Sequence, residues 1–166
     1  MGAPTAGWEN FFVAEVGAAA ALSGLLFVAV SISLSRIVAS RHLPDRAAET
    51  LVTFLSVLVV ATLGLVPGQS GVALGYEIGG AGLLAWIAAT RRQVRAYRDP
   101  DLEEPARRWL WVRVLGTQAG SVPFVVAGVL LVRGSENALL WVAPGTIASF
   151  VSGAFNAWVL LVEIQR

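Results

Sequence analysis

Residues 91–109 read RRQVRAYRDPDLEEPARRW. Half of the chain's basic residues stand in this stretch: Arg91, Arg92, Arg95, Arg98, Arg107 and Arg108. Every basic residue in the protein is arginine, and the long segments flanking the stretch are almost uncharged. A second cluster, Arg36, Arg41 and Arg46, lies two apolar segments earlier, and Arg166 closes the chain. Arg113 sits just inside the segment that follows residues 91–109, and only Arg133 falls in the other set of gaps. Basic loops are retained on the cytoplasmic side of a membrane. The alternation therefore predicts an all-α membrane protein, a bundle of five transmembrane helices with its N-terminus outside and its C-terminus in the cytoplasm.

Composition supports the same class. The 166 residues are 56% hydrophobic and 14% charged, with a mean hydropathy of +0.70. A soluble domain would carry about 25% charged residues. The chain has room for four or five helices of about 20 residues, the length that crosses about 30 Å of hydrocarbon. Spans are expected near 10–37, 46–66, 71–90, 108–132 and 138–164, within a single domain covering 1–166. A four-span reading with one re-entrant segment stays open and would move the C-terminus outside. The apolar runs are continuous rather than alternating, which argues against a β-barrel. The opening MGAPTAGWENFF lacks the basic region of a signal peptide.

Turn chemistry separates the spans. Pro67-Gly68-Gln69-Ser70-Gly71 reads as a tight connection between spans two and three. Gly134 is expected to cap the fourth helix, with Ser135 opening the fifth, and Asp45 to cap the second. Trp8, Tyr76 and Trp141 should mark the outer interface, and Tyr97, Trp109, Trp111 and Trp158 the inner one. Pro123 and Pro144 are expected to kink spans four and five.

Helices in lipid associate through close backbone packing. Small residues recur at four-residue spacing in span three (Gly71, Gly75, Gly79). They also line span one (Gly17, Ala21, Gly24), span four (Gly116, Gly120, Gly128) and span five (Gly145, Ser149, Gly153, Ala157). Packing within one bundle and packing between subunits both fit this pattern.

Ionisable groups at membrane depth are candidate functional groups. Glu15 lies about 10 Å along its helix from Trp8, and Glu77 about 9 Å from Gly71. Both therefore fall in the outer half at similar depth. If the two carboxylates met, they would share a proton or a cation. Alternatively each is bonded to nearby backbone or water. Glu49 is placed in the first turn of span two, where the helix dipole favours it. Arg113 and Glu163 are expected to pair near the cytoplasmic end, and Gln118 and Asn156 to bond nearer the midplane. Ser31, Ser33 and Ser35 bond back to their own helix.

The chain has no cysteine and a single histidine, His42, in a basic loop. It has no nucleophile–base set, HExxH, P-loop or CxxC. An enzymatic role, a cofactor and a resident metal are therefore not expected, and the arginines follow topology rather than a nucleic-acid pattern. Near anionic lipid each arginine of 91–108 would add about 1 kcal/mol of attraction. The bilayer is the expected partner, together with a second copy or a membrane complex.

The segments GWENFFVAEVGAAAALSGLLFVAVSISLSRI, LPDRAAETL and LVPGQ resemble small bacterial multipass proteins labelled as modulators of the FtsH membrane protease. The likeness covers roughly the first two helices and brings no catalytic residue with it. It implies a bacterial cytoplasmic-membrane location and a regulatory role. Two functions follow. One is a homo-oligomeric channel-like protein using Glu15 and Glu77, favoured by the matched depth of those carboxylates. The other is a non-enzymatic accessory subunit of a larger membrane complex.

A reporter fused after Arg166 should be cytoplasmic, and one inserted at Gly68 should be external. Protease protection that places both in one compartment would overturn the five-span threading.

Overall fold

The computed structural model describes residues 4–40, 43–98 and 104–165, with the backbone alone at 104–109 and 163–165. Every regular element among these residues is helical: α1 Glu9–Ile32, α2 Leu34–Ala39, α3 Leu43–Gly64, α4 Gly71–Tyr97, α5 Glu104–Val132 and α6 Val142–Gln165. A 3-10 turn, Ala138–Trp141, leads into α6. Five of the segments are long and apolar enough to cross a membrane.

Four helices close into a ring. α3 packs on α4, α4 on α5, α5 on α6, and α6 back on α3. α1 lies outside this ring, mainly against α3. Only 11% of its apolar window is buried, against 28–44% in the other four spans. The remaining surface of α1, including Val13, Leu25, Phe27 and Val28, faces outward.

Close packing explains the ring. Gly128 of α5 lies against the backbone of Gly75 and Gly79 of α4. A Cβ on Gly128 would stand 2.5 Å from Gly79 Cα and 2.6 Å from Gly75 O. Gly116 and Gly120 of α5 meet Ser152 and Ser149 of α6. Three fully buried phenylalanines complete the contacts. Phe12 seats on Gly64, Phe54 on Gly153, and Phe124 on Gly82 and Gly145. Each ring fills the notch left by a missing side chain, so α1, α3 and α5 interlock with α3, α6 and α4.

The helix ends depart from expectation in four places. The first span is broken at Ser33, where φ is −105° and ψ 15°. The break re-aims the chain so that Ile37 of α2 buries beside Leu26, Ala47 and Phe54. α3 begins at Leu43, which puts Asp45 in its first turn rather than at the cap. α4 runs on to Tyr97, past the expected end at Thr90. No glycine or proline interrupts 91–97, and cations near a helix C-terminus are favoured by the dipole. Arg92 Nη1 also donates to the Ala88 carbonyl at 3.1 Å. Pro144 falls in the first turn of α6, where its missing N–H has no helical partner to lose.

The connection at 67–71 and the glycine closure at 134 follow their sequence signals. Ser70 caps α4 by accepting from Ala73 N at 3.1 Å. Gly134 has φ +75° and ends α5. There Ser135 N bonds Leu130 O and Gly134 N bonds Leu131 O, a Schellman closure. Ser135 thus closes α5 instead of opening the next helix. Tyr76 and Trp141 are exposed toward one end of the bundle, and Tyr97, Trp111 and Trp158 toward the other.

Gly128→Leu should force α4 and α5 apart. An overpacking cost of about 1–3 kcal/mol or more is expected, read as a lower melting temperature in detergent. Gly24→Leu, with nothing within 4 Å of the new Cβ, should leave the protomer's melting temperature unchanged.

Candidate functional site

The deepest polar cluster lies toward the end of the bundle that carries the arginine-rich segments. Glu49 is the seventh residue of α3 and is 1% exposed. Its Oε2 accepts from Arg113 Nη2 of α5 in an ion pair. Its Oε1 accepts from Gln93 Nε2 of α4 at 2.6 Å and faces Thr117 Oγ1 at 3.4 Å. Gln93 Nε2 also donates to Thr117 Oγ1 at 2.6 Å and reaches the Arg113 carbonyl at 3.4 Å. Both carboxylate oxygens are thereby satisfied, which a buried charge requires. One cluster ties α3, α4 and α5 together.

The helices position these groups by simple spacing. Arg113 and Thr117 are four residues apart and share one face of α5. Gln93 continues the buried stripe of α4 that runs through Ile78, Gly82 and Ala89. The extension of α4 beyond Thr90 is therefore what delivers Gln93 to Glu49.

Directly beyond the cluster, between α3, α4, α5 and α6, lies a small cavity of about 10 Å³. Thr53 and Ser56 line it from α3, Thr117 and Ser121 from α5, and Ser149 from α6. Ala85, Ala89, Gly116 and Gly120 leave the room. The volume matches one water molecule, and the walls offer the two to four polar partners that a buried water needs. Thr53 donates to the Glu49 carbonyl at 3.0 Å and Ser56 to the Thr53 carbonyl at 2.7 Å.

One turn from Ser149 on α6 is Thr146, fully buried and beside the Glu15 carboxylate of α1. Glu15 Oε2 is itself buried without a partner. Thr146 Oγ1 bonds the Ala143 carbonyl at 2.9 Å. Polar side chains thus follow one another along the bundle, Glu15 and Thr146 on one side of the cavity and Thr117, Gln93 and Glu49 on the other.

Several residues expected to act together are placed apart. Glu77 bonds Gln69 Nε2 at 2.5 Å, at the start of α4. Glu15 belongs instead to the contact of α1 with α6, and α1 does not pack along α4. The two carboxylates therefore do not form a pair. Arg113 binds Glu49, and the Glu163 side chain lies outside the described residues. Gln118 accepts from Trp86 Nε1 at 2.7 Å, with no bond to Asn156. Glu49 is not a solvated first-turn carboxylate. Reading α3 from Leu43 rather than Arg46 puts it one turn deeper.

Among the glycines, Gly75, Gly79, Gly116, Gly120 and Gly153 pack inside the protomer, and a Cβ added at Gly71 would stand 3.9 Å from the Leu131 carbonyl. A Cβ added at Gly17 or Gly24 would meet no other element within 4 Å. Arg91, Arg95 and Arg98 are exposed at the end of α4, while the side chains of Arg107 and Arg108 lie outside the described residues. No three histidine, aspartate or glutamate side chains among the described residues converge to hold a metal ion.

The cluster had one legible signal. Gln93 is the uncharged polar residue within RRQVR, and continuing the α4 stripe at helical spacing places it on the buried face. Comparison with protein-family models, curated proteins and solved structures gave no match.

Arg113→Met should be strongly destabilising, by about 3–5 kcal/mol, because it strands a buried carboxylate. Joining it to Glu49→Leu should recover most of that loss. Thermal unfolding of both proteins in detergent checks the expectation, and equal losses in the single and double variants would refute it.

Proposed function

We propose that this chain is a small polytopic protein of the bacterial cytoplasmic membrane whose bundle provides an ion pathway. The observation that carries the reading is the hydroxyl-lined cavity between the Glu49 cluster and the Glu15–Thr146 contact. Polar groups in hydrocarbon are costly, and those that are kept tend to mark ion routes and relays. Here hydroxyls from three helices converge on one cavity, with a carboxylate to either side of it. The pathway runs inside the protomer, through Glu15 rather than through a Glu15–Glu77 pair. The arginine pattern supports an external N-terminus and a cytoplasmic C-terminus. In this arrangement Glu15 opens toward the outer half, and Arg113 stands at the inner end.

Association of copies completes the proposal. α1 turns Gly17, Ala21 and Gly24 outward, a surface suited to close helix contact. A second reading uses the same surface. The stretch resembling FtsH-protease modulators coincides largely with α1, the least buried span. An accessory subunit would dock a partner helix there and have no transport role of its own.

Purified protein in liposomes should carry an ion current or flux above that of protein-free vesicles. Glu15→Gln should reduce the flux to the protein-free level, and Glu77→Gln should leave it unchanged. Absence of flux, with recovery of a stoichiometric membrane partner in mild detergent, would favour the accessory reading.

A further inference from the structure

We infer that the face of α4 formed by Arg91, Arg95 and Arg98 binds the headgroup of an anionic phospholipid at the basic end of the bundle. This goes beyond the ion pathway and rests only on the chain's spanning a bilayer.

The residues of RRQVR divide between two faces because α4 stays helical to Tyr97. Gln93 turns inward and is buried. Arg92 folds back to donate to the Ala88 carbonyl. Arg91, Arg95 and Arg98 are exposed. Steps of four and three residues put these three on one side of the helix. The same line continues toward the middle of the span through Leu84, which is 70% exposed. It then reaches Gly80, where an added Cβ would meet no other element within 4 Å. In a bilayer this line faces lipid. An acyl chain lying along Leu84 therefore brings its own headgroup to the arginines.

Depth agrees with this placement. Gln93 Nε2 reaches the Arg113 carbonyl, so the two residues lie side by side on α4 and α5. Trp111, two residues toward the start of α5, is level with Arg95, about 3 Å further out. It is 63% exposed, and exposed tryptophan on a spanning helix marks the headgroup boundary. Arg91 and Arg98 are about 10 Å apart along the axis, against about 5–8 Å for the headgroup layer of one leaflet. The three guanidinium groups thus straddle that layer.

Charge selects the occupant. No acidic side chain among the described residues pairs with any of the three. Like charges three and four residues apart on a helix repel, and a phosphate between them removes the repulsion. Guanidinium also matches phosphate with paired N–H donors. A zwitterionic headgroup carries its own cation, which competes for the same phosphate. A headgroup with net negative charge has no such competitor. Asp99, Asp101 and Glu103 follow in sequence and lie outside the described residues.

The chain has no cysteine, so Leu84→Cys gives one site for a fluorescent label on the lipid-facing line. The labelled protein is reconstituted in phosphatidylcholine containing brominated phosphatidylglycerol in one set and brominated phosphatidylcholine in another. Bromine quenches a label that it touches, so the two quenching curves give a ratio of association constants. One arginine near an anionic surface is worth about fivefold, and a ratio of about five or more in favour of phosphatidylglycerol is expected. Arg91→Gln, Arg95→Gln and Arg98→Gln together should remove the preference. Arg95→Gln alone should lower it, and Arg92→Gln should leave it unchanged. Circular dichroism and gel filtration show whether each variant is folded. Equal quenching by the two lipids in the labelled protein with all its arginines would overturn the inference, whether the acidic residues that follow neutralise the face or something other than lipid covers it. An undiminished ratio in Arg95→Gln and in the folded triple variant would place the preference elsewhere and overturn it too. No quenching by either lipid would put residue 84 outside the bilayer and overturn the spanning reading as well.

Discussion

Glu49 is a carboxylate only 1% exposed, and much of the molecule is arranged around that constraint. In hydrocarbon a carboxylate must find its partners within the protein. Glu49 finds them on two other helices, Arg113 and Thr117 on α5 and Gln93 on α4. Each partner fixes something else. Arg113 sets the register of α5 against α3, and Gln93 requires α4 to stay helical well past the apolar core of its span. The ion pair therefore acts as a clamp, and a clamp that holds three helices also holds the wall of the cavity above it.

Glycine and phenylalanine do the complementary work. α4 and α5 touch backbone to backbone at Gly75, Gly79 and Gly128. Elsewhere a phenylalanine ring fills the notch over a glycine. Lipid gives such helices little hydrophobic reason to associate, so dispersion in close contact has to supply the attraction. The same small residues admit the cavity. Gly116 and Gly120 draw α6 toward α5 while leaving space beside Ser149 and Ser121.

α1 stands apart from this economy. It contributes Phe12 to the core and sets Glu15 beside Thr146, yet leaves its small-residue face uncovered. Such a helix can join a protomer to a neighbour without disturbing the ring of α3 to α6. The proposed transport through the bundle and the proposed docking through α1 would therefore draw on different surfaces.

The sequence by itself determined the five spans and predicted their orientation, because hydropathy and arginine placement are linear properties that a bilayer reads directly. It also determined the connection at 67–71 and the closure at Gly134, which depend on a few neighbouring residues. Most of the glycine contacts in α4, α5 and α6 were legible as spacing, although Gly64 and Gly82 were not, since their partners are phenylalanines far along the chain. Only the tertiary structure decided which polar groups meet. Matched depth made Glu15 and Glu77 look like a pair, but depth says nothing of azimuth, and α1 packs on α3 rather than α4. Glu49, Gln93, Arg113 and Thr117 are separated by up to 68 residues. Their meeting follows from the rotation of three helices about their own axes, which packing sets and composition does not encode.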